Sequence, residues 1–223
     1  MGVQKGLRLY QAIIDRFIEK GIEYEDAAVE CKVDPDIFAG CFDATSGIDL
    51  NDLYEVLKRA QIDAISQFLG CSGFRIFLLA DVIQWEDFQL ISDTGLVVEK
   101  KSNPDQKKEQ AGQYLQYVVQ ANLFGQPEFI VEQFIAATMS KTLAEACKKV
   151  DLNYRTLLSW KNKISTPELS DMPTIKAMAK AMDMGTPILM GGLNLLMAED
   201  FILDGQTVNL NDELAAAMDI EIL

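Results

Sequence analysis

Residues 142–163, Thr-Leu-Ala-Glu-Ala-Cys-Lys-Lys-Val-Asp-Leu-Asn-Tyr-Arg-Thr-Leu-Leu-Ser-Trp-Lys-Asn-Lys, constrain the fold more than any other stretch of this chain. Their spacing predicts two short helices across a tight turn. Leu143, Ala144 and Cys147 fall on one face of the first helix, and small Ala144 and Ala146 permit close crossing of a neighbour. Val150 plugs the turn, and Asp151 or Asn153 can cap the second helix by accepting a backbone N–H. In that helix Tyr154, Leu157, Leu158 and Lys161 share a face, with Leu157, Leu158 and Trp160 as core anchors. Asn153, Arg155, Thr156, Ser159, Asn162 and Lys163 are left outward.

The flanks extend the pattern. Glu128 to Thr138 reads as a preceding helix with Phe129, Val131, Phe134 and Ile135 as its apolar positions. Ser165-Thr166-Pro167 breaks the chain, and Pro173 suits the first turn of a helix. Ile175, Met178, Ala179 and Met182 then recur at helical period. Helix, turn, helix, proline-containing loop and amphipathic helix, carried by Leu143-Ala-Glu-Ala, Val150, Leu157, Trp160, Pro167 and Ile175 to Met182, resemble the Cro/C1-repressor (XRE-like) helix-turn-helix family over about residues 128–186. The motif is short and degenerate, and it departs from the family at Lys149, where glycine is usual. That departure implies a turn that is longer or differently shaped. The resemblance implies binding to double-stranded DNA. Asn153, Arg155, Thr156 and Ser159 would face the major groove, and Lys148, Lys149, Lys161 and Lys163 would hold the phosphate backbone.

A second copy is legible near the N-terminus. An offset of 117 residues lays Ala27 to Asp34 over Ala144 to Asp151, so that the two Val-Asp pairs coincide. A gap of five then sets Leu53, Val56, Leu57 and Ala60 against Ile175, Met178, Ala179 and Met182. Gly6 to Lys20 would be its first helix, with Leu9, Tyr10, Ile13, Ile14 and Phe17 as the apolar stripe and Gly21 as C-cap. The copy would span about residues 6–65. The competing reading is chance similarity within an acidic helical core. The copies differ in charge: ten acids against three bases between Ile22 and Ile62, but two acids against six bases between Ser140 and Ser165. The expected second helix of the first copy, Pro35 to Ala44, has no base, so a phosphate backbone would repel it. This copy is expected to serve protein contact.

Composition narrows the function classes. With 34 acids and 20 bases the net charge is −14, so a protein that coats DNA is excluded, although a local basic island can still bind. The chain has no histidine, which removes Ser-His-Asp and Cys-His catalysis and the usual zinc sites. Phosphate-binding glycine loops are absent; Met190-Gly-Gly-Leu193 is two glycines in an apolar setting. No acidic cluster stands out for two-metal chemistry. The expectation is therefore a protein that is not an enzyme and carries no cofactor or metal. Cys31, Cys41, Cys71 and Cys147 are widely spaced and read as buried reduced thiols, with a Cys31–Cys41 pairing as the alternative. No apolar run of membrane-spanning length and no leader pattern is present, which points to the cytoplasm.

The expected organisation is mainly α: two helix-turn-helix-like units joined by a segment with a candidate β-hairpin. The divisions fall at 1–72, 73–125, 126–197 and 198–223. In the middle segment, Ile62 to Leu69 and Phe74 to Ile83 are buried apolar stretches. Phe88 to Ser92 and Leu96 to Lys100 flank Asp93-Thr-Gly95 as the hairpin, followed by a charged loop to Lys108 and a helix from Gln110 to Ala121. After Lys180 no base follows, so 198–223 reads as an acidic tail able to cover a basic patch. Two functions are consistent with all this. One is a sequence-specific DNA-binding regulator of phage or plasmid type, such readers commonly being homodimers. The other is a protein-binding anti-defence or polymerase-modifying module whose acidic surface engages a basic host protein.

Overall fold

A computed structural model describes residues 6–36, 38, 57–84, 87, 125 and 127–218. The chain is mainly helical, and clusters into two units: residues 1–83 with 199–223, and residues 84–198. The expected hairpin, the charged loop and the helix at 110–121 lie outside the described residues, as do Cys41, Leu53, Val56 and most of the Pro35–Ala44 helix. Among the described residues no single helix is long and apolar enough to cross a membrane.

In the first unit, α1 (Leu7–Lys20) buries Leu9, Tyr10 and Ile13 and stops at left-handed Gly21, whose N–H returns to Ile18 O. Short α2 (Tyr24–Glu30) buries Ala27 and Ala28. Helix α3 (Arg59–Leu69) buries Ile62, Ala64, Ile65 and Phe68 and ends at left-handed Gly70. Ser72 caps α4 (Gly73–Leu79), and the remaining α4 residues other than Arg75 are buried.

The segment expected as an acidic tail is folded into this unit. Its two-residue strands β1 (Ile202–Leu203) and β2 (Gln206–Thr207) form a small antiparallel ladder. Its helix α10 (Leu210–Met218; α5 to α9 belong to the second unit) packs on α4. Two of its carboxylates are buried and committed. Asp200 accepts from Arg59 Nη2 at 2.6 Å and Nη1 at 2.9 Å. Glu213 accepts from Arg75 Nη2 at 2.6 Å and Nε at 3.0 Å, and from the Ser72 hydroxyl. The Phe201 ring stacks on Phe74 at 5.0 Å between centroids. At Gly73 a Cβ would collide with the Asp200 carboxylate, so only glycine fits there.

In the second unit, α5 (Pro127–Ala137) buries Ile130, Val131 and Phe134. Phe129, expected in the core, is 43% exposed, and Ile130 takes its place. Helix α6 (Leu143–Val150) buries Leu143, Ala146 and Cys147; Ala144 faces outward because the buried spacing is i, i+3, i+4. Helix α7 (Tyr154–Lys161) buries Leu157 and Trp160 and leaves Leu158 half-buried. Helix α8 (Met172–Ala181) carries Pro173 in its first turn and buries Ile175, Met178 and Ala179, while Met182 is half-buried at its C-cap. Helix α9 (Thr186–Gly192) is buried along its whole length.

The two units repeat one backbone pattern. Left-handed Gly21 and Met139 stand 118 residues apart, and Gly21 N–H to Ile18 O with Ile22 N–H to Phe17 O recurs as Met139 to Ala136 with Ser140 to Ile135. Left-handed Lys32 and Asp151 stand 119 apart, and Val33 N–H to Ala28 O recurs as Leu152 N–H to Cys147 O. Phe38 N–H to Asp34 O matches Leu157 N–H to Asn153 O at the same offset. Beyond residue 57 the offset is 113. Gly70 and Asp81 match Asp183 and Asn194 in left-handed conformation, and Cys71 to Ser66 with Val82 to Phe77 recurs as Met184 to Ala179 with Leu195 to Met190. The N-terminal copy is thus six residues longer between Phe38 and Leu57. This corrects the alignment drawn from the sequence, which used 117 and lengthened the other copy. The Val-Asp pairs misled it, because Lys32 takes the left-handed position in one turn and Asp151 in the other. Ile62 and Ile65, not Leu53 and Val56, correspond to Ile175 and Met178.

Candidate nucleic-acid interface

The turn between α6 and α7 is built by side chains that finish helices. Thr142 caps α6 by accepting the Glu145 N–H, and Glu145 Oε2 accepts the Lys141 N–H at 2.9 Å. That backbone donor, with Lys149 nearby, holds the Glu145 carboxyl below its ordinary range. The left-handed residue of the turn is Asp151 (φ 57°), while Lys149 is helical, so glycine's role in such a turn falls two residues later than the sequence suggested. Asn153 Oδ1 accepts the Arg155 N–H at 2.9 Å and the Thr156 N–H at 3.4 Å, which makes Asn153 rather than Asp151 the cap of α7.

The eight residues expected at the interface separate into three groups. Asn153 and Ser159 are occupied with local structure. The Ser159 hydroxyl donates to Thr156 O at 2.7 Å and lies 2.6 Å from Ser165 Oγ; Thr156 itself is half-buried. Lys149, Lys161 and Lys163 are engaged by α5 and its end. Lys149 Nζ donates to Thr138 O at 2.9 Å and Met139 O at 3.0 Å and stands 3.5 Å from Glu145. Lys161 stands 3.6 Å from Glu132, and Lys163 is 2.9 Å from Glu128. The hydrogen bond from Lys163 holds the Glu128 carboxyl below its ordinary range. Lys148 and Arg155 form the third group. Both are exposed, and among the described residues no hydrogen bond or ion pair engages either charged group.

Sequence reasoning missed two neighbours. Tyr154, assigned to the apolar face, is 42% exposed because it opens the helix, where no preceding turn covers it. Lys141 is also exposed, just ahead of the Thr142 cap. Over 127–198 eight bases face seven acids, so the positive island is a matter of placement rather than of net charge.

Among the described residues the other chemistry-bearing groups are buried or already paired. Cys31, Cys71 and Cys147 are free and buried, and burial pushes the Cys31 and Cys71 thiols up to about 12. A cleft of about 410 Å³ in the first unit is lined by Asp15, Arg16, Glu19, Cys71 and Arg75 among others. Its guanidiniums are already used, Arg16 by Glu19 and Phe68 O and Arg75 by Glu213. No family model, curated protein or solved structure matches this chain.

Proposed function

We propose that the chain is a sequence-specific binder of double-stranded DNA that presents the N-terminal half of α7 to the major groove. The observation that carries this reading is the unengaged Arg155 guanidinium on the first turn of a short helix held by Leu157 and Trp160. An arginine so placed can donate two bonds to a guanine edge. Lys148 and Lys141 supply phosphate contacts from α6 and the residue before its cap, and Tyr154 adds a planar contact beside Arg155. Asn153, Lys149 and Ser159 support the geometry of the reader. Lys161 and Lys163 reach phosphate only by leaving Glu132 and Glu128.

With so few unengaged cations the non-specific term is small. A salt slope of about −3 in log K against log salt follows, shallower than that of a protein with six to ten phosphate contacts. Binding isotherms on a selected duplex at two salt concentrations test this. The engagement of three of the five candidate bases favours a second reading, a protein-binding scaffold that binds no duplex, and the same isotherms separate the two.

A further inference from the structure

The repeat places two faces of like backbone path and unlike charge in one chain. At the offset of 119, Asp36 holds the position of Arg155, Asp34 that of Asn153 and Val29 that of Lys148. Both turns are closed the same way, Asp34 Oδ1 accepting the Asp36 N–H at 2.9 Å as Asn153 Oδ1 accepts that of Arg155. On the N-terminal face Val29 is 69% exposed and Tyr24 38% exposed. A hydrogen bond donated by the Tyr24 hydroxyl to Glu25, with the charges of Glu25 and Asp36, pushes the phenol up, which marks a local negative field. On the other face Tyr154 is exposed, as are Lys148 and Arg155, whose charges are unengaged among the described residues.

A face paired with its own copy about a two-fold axis would set like charges together near that axis. A pairing of the two unlike faces is head-to-tail: it sets Arg155 against Asp36 and leaves one face of each kind open on the pair. We propose that a second copy of this chain docks by its α6–α7 face on the face formed by α2 and the turn that follows it, with Arg155 of one molecule against Asp34 and Asp36 of the other and Tyr154 over Val29. The net charge of −14 opposes approach at long range. At physiological salt the screening length is about 8 Å, so contacting pairs decide the outcome. The pairing would cover the face assigned above to DNA, but its test uses no DNA and stands whether or not DNA binds.

The experiment is sedimentation velocity of the full chain at physiological salt over a wide concentration range. The mass should rise above the 24.9 kDa monomer with concentration. Asp36→Arg and Arg155→Asp should each weaken association by about tenfold or more, as for close charge pairs across interfaces, and the two together should restore it. Both residues are exposed, and circular dichroism of each variant shows whether its helices persist. A monomer at every concentration would overturn the proposal and leave the acidic face to a different, basic protein. Association indifferent to both reversals, or a double variant weaker than either single one, would also overturn it.

Discussion

The Asn153 side chain accepts the backbone N–H of Arg155 at 2.9 Å, so the residue that ends the turn also fixes the start of the helix carrying the proposed reader. A side chain in that position cannot keep the same oxygen free for a base edge. Asn153→Ala should therefore cost about 1 kcal/mol of stability, while Asn153→Asp or Asn153→Ser should cost a few tenths. Urea denaturation midpoints check this. Equal loss in all three variants would contradict the capping role.

Lys149 is expected to behave as a structural residue. Its ammonium satisfies the Thr138 and Met139 carbonyls at the end of α5. Lys149→Ala should lower stability by about 0.5–1.5 kcal/mol and leave DNA affinity nearly unchanged once the protein is folded. Lys148→Ala should do the opposite: unchanged denaturation, and weaker binding to every sequence.

Removing residues 199–223 should unfold the first unit rather than release a basic patch. Asp200 and Glu213 are buried against Arg59 and Arg75, so their negative charge is spent within the fold. Arg75→Met, which leaves Glu213 buried with the Ser72 hydroxyl, should cost roughly 3 kcal/mol, discounted from a fully buried pair because the arginine is a quarter exposed. Thermal unfolding of the truncated chain and of Arg75→Met measures this. A truncated chain of unchanged stability that binds DNA more tightly would restore the masking-tail reading.

Alkaline pH should destabilise the first unit. Cys31 and Cys71 are thiols whose folded-state values are raised to about 12 from an ordinary value of 9.0. Their contribution to stability is whole below pH 9, and it falls as pH rises from 9 towards 12, because the unfolded chain loses protons first. Cys71→Ala should flatten part of that decline in denaturation midpoints taken between pH 8 and 11. Prompt thiol labelling of Cys71 at pH 8 in the native protein would show that burial does not hold it.

Helical period, the α5–α8 succession, Gly21 as a cap and Leu157 with Trp160 as anchors were legible because apolar spacing and capping chemistry are local. Burial at helix ends was not, since Phe129, Ala144 and Tyr154 depend on what packs above them. The repeat was visible only as a blur: its register is written in left-handed residues and returning N–H bonds, which Lys32, Asp151, Met139 and Asp183 occupy without glycine. The acidic C-terminal segment looked solvated because sequence cannot show Arg59 and Arg75 waiting 138–141 residues away. The eight candidate residues were named from side-chain chemistry alone, and their division into cap, strut and free cation required the geometry.

Selection from a randomised duplex pool, followed by binding isotherms of wild type and Arg155→Ala on the enriched sequence, tests whether α7 reads DNA sequence through Arg155. A reader helix working through Arg155 gives an enriched motif, a wild-type preference over random duplex, and loss of that preference by about 1–3 kcal/mol in Arg155→Ala with weak general binding retained. An unenriched pool, or indistinguishable isotherms for the two proteins, would contradict it.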